Sequence, residues 1–491
     1  MQLASFERDA ERLLGILSRV WYLHLSGQDA SLPLPEVFGR FTTERWREVF
    51  GQLHDLSLDP RQLNPLLDLA ATLHIDEWTA RATSRLYEAE AASSVVWRDE
   101  IIPLRAAPLR IALEFDRGRR HEIEELAREQ HADLEPLSMD VLDGRRAGFA
   151  ELQAGDELTV RASTRAFDVD ALSTLARSIL DRTAELYADA LRDQLVHHRL
   201  DGADVWESDL AWILRGSEYD RTYPSHRLMP GLLRTLGQFG IRLDDQSAIR
   251  LDRAARPLKV GHAFCAPLSI SDEIVAVMTP AGGRLDYADL FEQVGIAERY
   301  GHADRTQPLA TRRLGDPSVI RAYGLVFRRL TGDPTWLLAR LEAEATRDES
   351  RVAAFEVLAG LRRDAAEWLY VRELASADLA NEAEDWSQRY ADELSVALGV
   401  RVFATGYLDA IRDPLRGLDS IRAALLAKQL TLFLAGEYDE TWFESERAGR
   451  FIVDRWREGQ RYSAEEMARF LGFDGLDAQP LLDELTASLV G

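Results

Sequence analysis

Long stretches of this chain place apolar residues at helical spacing, and that pattern restricts it to a fold built mainly of packed helices. In residues 3–25, Leu3, Phe6, Ala10, Leu13, Leu17 and Val20 fall on one stripe with Glu and Arg opposite. Residues 168–199 repeat the pattern, with Asp168 as the cap and Leu172, Leu175, Ile179, Leu186 and Leu191 along the stripe. Read as one helix, that segment is a rod about 45 Å long. Three later helices are expected to start at Asp316-Pro317, Asp333-Pro334 and Asp413-Pro414. At such pairs Asp caps the free N–H groups and Pro suits the first helical position. Residues 350–376, 378–398 and 417–435 are also expected to be helical, with two short helices after Ser463. Strand signals are sparse. Mixed or alternating patterns mark residues 95–104 and 147–161, and the best strands are 248–251, 262–270 and 273–279, closed by Pro280-Ala281-Gly282-Gly283. The expectation is a mainly α fold with a small sheet just ahead of a helix over residues 285–300.

At 491 residues the chain is long enough for two or three domains, or for one large helical body. We expect a helical region over 1–96 and a helical lobe with a few strands over 97–246. Residues 247–491 then hold the sheet (247–283), the helix at 285–300 and a bundle over 316–491. The net charge of −24 opposes a phosphate backbone and argues against a nucleic-acid role. No apolar run reaches the roughly 18 residues of a membrane span, and the first residues are charged rather than leader-like. The single cysteine, Cys265, excludes an internal disulfide. A cytoplasmic location is expected.

The chemistry-bearing stretch is Asp286-Tyr-Ala-Asp-Leu-Phe-Glu-Gln-Val-Gly-Ile-Ala-Glu-Arg-Tyr300. A zincin helix carries H-E-x-x-H, in which two imidazoles one turn apart hold zinc and the Glu acts as base. Here the register Glu292-Gln293-Val294-Gly295-Ile296 keeps the glycine and has neither histidine. From about Trp97 onward the chain resembles the gluzincin oligopeptidases of the thimet oligopeptidase and oligoendopeptidase F type. Three stretches carry the resemblance, in the family's order and spacing. Ala263-Phe264-Cys265-Ala266-Pro267 with Glu273 to Gly283 is similar to the strands before the zinc helix. Asp286 to Ala297 stands where the family has D-Y-x-x-L-x-H-E-x-G-H-A, and Arg313 to Ala322 stands where the family has a Glu at Arg321.

The resemblance implies a large helical, two-lobed fold around a cleft, and it maps the zinc site onto Glu292, Gln293, Ile296 and Arg321. All four positions have lost their chemistry. Gln293 is an amide and cannot act as a base near neutral pH. Ile296 offers no lone pair, and Arg321 is permanently cationic and repels a divalent metal. The segment Asp413 to Ala424 also lacks the tyrosines usual in related sequences. Because the first-histidine and third-ligand positions both face the metal in a working site, Glu292 and Arg321 are expected to form an ion pair in its place.

Other groups have bland readings. His262 and Cys265 make half a metal site at most, and read better as a rim histidine and a core cysteine. His302 reads as a helix C-terminal histidine, as do His197 and His198. No H-x-x-x-H occurs among the ten histidines. Asp286, Asp289 and Glu298 could pair for acid–base work, but a solvated helix face is the simpler reading. Gly282-Gly283 lacks phosphate-loop spacing. With Ala263, Phe264 and Cys265 it could leave an edge to which a peptide adds. The expected function is therefore that of a pseudopeptidase, without catalytic residues, metal or cofactor, acting by binding a peptide or a protein partner such as an active relative. The alternatives are a hydrolase with a non-standard site and a scaffold with a filled cleft.

Overall fold

The computed structural model describes residues 3–41, 46–375, 377 and 385–490. Helices make up most of it. The first, Leu3–Leu25, buries Phe6, Ala10, Leu13 and Leu17 as its stripe requires. The strands form two small sheets. β1 (Ser94–Trp97) and β2 (Glu100–Pro103) make an antiparallel hairpin. β3 (Ile249–Asp252), β4 (Phe264–Ser269) and β5 (Glu273–Val277) make a three-stranded sheet in the order β3-β5-β4, parallel on one side of β5 and antiparallel on the other. The chain leaves β5 and enters the helix Gly283–Gly301 directly. A buried lysine sets that exit: Lys259 Nζ donates to the carbonyls of Asp252, the last residue of β3, and Met278, just past β5, and pairs with Asp252 Oδ1 at 3.2 Å.

The buried clusters join residues far apart in sequence. One packs Ile179, Tyr187, Leu191 and Ile213 against Phe355, Trp368, Leu394, Leu425 and Leu481. A second surrounds the helix Gly283–Gly301, with Tyr287, Phe291 and Val294 meeting Phe327, Trp336, Leu430 and Trp456. No helix among the described residues is long and apolar enough to cross a membrane.

Three expectations need correction. Residues 168–199 are two helices, Val169–Arg182 and Ala184–His198, joined at Thr183. The break is stabilised from outside: buried Arg362 donates to the freed Leu180 carbonyl and to Thr183 Oγ1, both at 2.7 Å, which periodicity cannot reveal. Residues 147–161 are not a strand but the meeting of two helix ends. Gln153 closes Glu135–Leu152 in the left-handed region, and Asp156 caps Glu157–Arg165 through Thr159 N. The apparent alternation comes from two helical faces joined out of phase.

Asp316 and Asp333 cap their helices as expected, but Asp413 does not. It ends the helix Tyr407–Arg412, and the next helix, Arg416–Tyr438, starts beyond it with Leu415 at the cap. That start is fixed by contact, since a Cβ on Gly417 would lie 2.5 Å from the Asp364 carbonyl oxygen. The other expected helices are present as Arg347–Ala375, Trp386–Leu398, Ala464–Phe470 and Gln479–Val490. Residues 376 and 378–384, expected to be helical, lie outside the described residues.

Candidate functional site

The site helix Gly283–Gly301 begins at a turn that only glycine permits. Gly282 and Gly283 both have positive φ (84° and 59°), and a Cβ on Gly283 would fall onto the Asp220 carboxylate. Asp286 folds back as an internal cap, accepting from Ala281 N and Gly282 N at 2.7 and 2.9 Å. Arg215 holds Asp220 by two bonds and donates to the carbonyls of Ala281 and Gly282. The backbone polar groups of this turn are therefore already used within the fold. At the outer edge of the sheet the helix Leu3–Leu25 packs against β4, where a Cβ on Gly15 would come 3.0 Å from the Leu268 carbonyl. Arg313 donates to the Pro267 carbonyl of the same strand at 3.1 Å. Cys265 lies in β4, and burial raises its thiol well above the ordinary range, which leaves it inert.

The following helix, Pro317–Leu330, crosses the site helix at two glycines. A Cβ on Gly295 would lie 2.7 Å from the Phe327 ring and 3.3 Å from Gly324 Cα. One on Gly324 would lie 2.9 Å from both the Glu292 carbonyl and Ile296 Cγ1. The backbones thus meet at van der Waals distance, with Ile296 wedged against the Gly324 backbone. Gln293 is buried, at 6% exposure.

Glu292 and Arg321 are not partners, contrary to expectation. Glu292 Oε2 pairs with Arg328 Nη1 at 3.1 Å, while Arg321 donates to Ser420 Oγ on the helix Arg416–Tyr438. Contacts run in opposite directions along the two helices, which explains the difference. Gly324 sits opposite Glu292 and Ile296, so Arg328, one turn further on, reaches Glu292. Arg321, nearly a turn before Gly324, reaches past the crossing. Arg328 also binds Asp289 Oδ1 at 2.9 Å and Glu356 Oε1 at 2.8 Å, and Glu356 is shared with Arg284 at 2.5 Å. Burial raises the Asp289 carboxyl to about 6 despite the pull of Arg328. Burial also acts to raise Glu356, but Arg284 and Arg328 outweigh it and bring it down to about 2. Two arginines and three carboxylates thus occupy this end of the crossing.

Arg321 faces Asp364 on the helix Arg347–Ala375. Burial raises Asp364 to about 7, against the pull of Arg321 and Arg416. Arg416 pairs with Glu367 at 2.5 Å, and both line a cavity of about 350 Å³ together with Glu124, Glu207, Ser208, Arg363 and Phe403. Burial raises Glu124 there to about 7. A larger cavity of about 1110 Å³ lies beside the crossing helix, between Pro317 and Ile320 on one side and Leu69, Leu172 and Leu175 on the other.

The other candidates have structural partners. Asp289 belongs to the ionic cluster, and Glu298 is fully buried, with Gln246 at 3.1 Å and His302 at 3.2 Å. Asp286, Asp289 and Glu298 therefore do not converge on a shared point. His302 caps the site helix and pairs with Glu298, so its helix-terminal reading holds. Arg328 had a sequence signal, because it lies seven residues, two helical turns, after Arg321. Glu356 and Asp364 come from a helix that adjoins the site only in the fold, and they had none.

A zinc ion, which the resemblance implies, does not fit the residues present. The four positions that the resemblance assigns to the site offer one carboxylate already paired with arginine, an amide, an aliphatic chain and a guanidinium, whereas a catalytic zinc takes three protein ligands from imidazole, carboxylate or thiolate groups. No protein-family model matches the chain, and no curated protein sequence matches it. Among solved structures it is similar to one described as a candidate oligoendopeptidase F, at 15% identity and a TM-score of 0.62, covering 99% of this chain and 84% of that one. At that identity the likeness establishes the fold, a mainly helical oligoendopeptidase-like architecture.

Proposed function

We propose that this protein is a catalytically inactive relative of the zinc oligopeptidases that works by binding a peptide or a protein segment. One observation carries this reading. Three of the four positions that the resemblance assigns to the metal are committed to an ion pair, to packing or to a hydrogen bond: Glu292 to Arg328, Ile296 to Gly324, and Arg321 to Ser420. Catalytic power in such enzymes comes from the metal and its base, and neither has a donor set here. The cavity of about 1110 Å³ is the proposed seat. Leu69, Leu172, Leu175 and Ile320 give it an apolar wall, and its charged lining is mixed, with Arg461 and Arg469 beside Asp59, Asp168 and the Arg61–Glu466 pair. These features suit a peptide with apolar side chains. The single cysteine and acidic composition suit a cytoplasmic setting.

A second reading, residual hydrolysis at another site, is favoured by Glu124, whose carboxyl near 7 adjoins Ser208 in the smaller cavity. A pool of fluorogenic peptides, assayed with and without a chelator, separates the two. Binding without turnover, weakened by Leu175→Trp, is the expected result. Turnover abolished by chelator and by changes at Glu292 or Arg321 would refute the main reading. Chelator-insensitive turnover lost in Glu124→Gln would establish the second.

A further inference from the structure

Two histidines that close the helix Ala184–His198 meet a carboxylate from a separate element. Glu218 lies in the 3-10 turn Ser217–Thr222, and one ligand atom each from His197, His198 and Glu218 lie within 4.8 Å of one another. The sequence separates the histidines from the glutamate by twenty residues, and only the fold brings them together.

The geometry within the cluster is specific. The His198 side chain is 8% exposed, and its buried Nε2 has no hydrogen-bond partner among the described residues. That nitrogen stands 3.4 Å from Glu218 Oε1. Two ligands of one tetrahedral zinc, each about 2.0–2.1 Å from the ion, are about 3.4 Å apart. The separation is long for a hydrogen bond and right for two ligands that share a cation. His197 is exposed, and its ring stands edge-on to His198 with centroids 4.8 Å apart, so a rotamer change can bring it to the same ion. The Trp212 ring lies against His198 at 4.6 Å and fixes the plane of the imidazole. Two imidazoles and one carboxylate select zinc and its first-row neighbours over calcium or magnesium.

We propose that His197, His198 and Glu218 bind one zinc-class divalent cation, with water completing the coordination. The same turn carries Asp220, which holds Arg215 and packs against Gly283 at the start of the site helix. A bound ion would therefore tie the end of the helix Ala184–His198 to the turn that supports that start. The proposal stands apart from the lost metal positions and does not depend on the peptide-binding reading.

The test uses full-length, tag-free protein stripped of metal, then titrated with Zn2+ by calorimetry and with Co2+ by visible absorption. One equivalent is expected, with the absorption of four-coordinate Co2+ and a melting temperature that rises with Zn2+. His197→Ala and Glu218→Gln, both at exposed positions that leave the core untouched, should each weaken Zn2+ binding about tenfold or more, at least the loss that outer-shell changes cause. Absence of saturable uptake, or uptake equally tight in both variants, would overturn the proposal.

Discussion

Replacing Arg328 with methionine tests the account of the helix crossing most directly. Methionine keeps the apolar stem and removes the guanidinium, leaving Asp289 and Glu292 without a cation and Glu356 with Arg284 alone. Removing one partner of a buried pair costs about 3–5 kcal/mol. These side chains retain 13–26% of their exposure, so solvent screens part of the loss and about 2–4 kcal/mol is the better expectation. With an unfolding entropy of about 2 cal/mol/K per residue, a chain of this length loses about 2–4 °C of melting temperature if it unfolds as one unit.

The penalty should depend on pH. Burial holds the Asp289 carboxyl near 6 even beside Arg328, and without the arginine it rises further. Lowering the pH through 6 protonates Asp289 and removes one of the unpaired charges. The gap between Arg328→Met and the parent should therefore narrow between pH 8 and pH 5. Scanning calorimetry across that range is the assay, with Arg321→Met as the comparison. That variant gives up its bond to Ser420 and an attraction to Asp364, and should cost only about 1 kcal/mol. If Arg321→Met proves the more damaging, or if the Arg328→Met deficit does not change with pH, the assignment of the cluster is wrong.

Other outcomes can be measured on the same protein. Gly324→Ala places a methyl group 2.9 Å from the Glu292 carbonyl and Ile296 and should cost about 1–3 kcal/mol in denaturant unfolding, whereas Gly360→Ala, mid-helix with open space around it, should gain about 0.5–1 kcal/mol. Asp364 has a folded-state pKa raised to about 7 by burial, so its stabilising protonated form is lost as pH rises from about 4 through 7. The melting temperature of Asp364→Asn relative to the parent should therefore climb from pH 5 to pH 8, and a flat or falling difference would contradict the assignment. Arg362→Met removes the donor to Leu180 and Thr183 where two helices meet, and hydrogen exchange should rise first around residues 180–184.

The sequence by itself determined the helical class, the small sheet and the helix that follows it. Apolar periodicity and the Asp-Pro starts are local codes, set by which faces can be buried and which N–H groups need a cap. It also carried the expectation that Glu292, Gln293, Ile296 and Arg321 stand where the resembled family holds zinc, and donor chemistry, which belongs to residue type, does not let these four form a ligand set. Only the tertiary structure decided where the charges went. Arg321 and Arg328 lie on one face of one helix, and the antiparallel crossing at Gly295 and Gly324 selects which of them meets Glu292. The break at Thr183 depends on Arg362, from a helix about 180 residues away. The meeting of Glu218 with His197 and His198 likewise depends on how two elements pack. Side-chain pairing is set by distances between helices, and a one-dimensional pattern does not carry them.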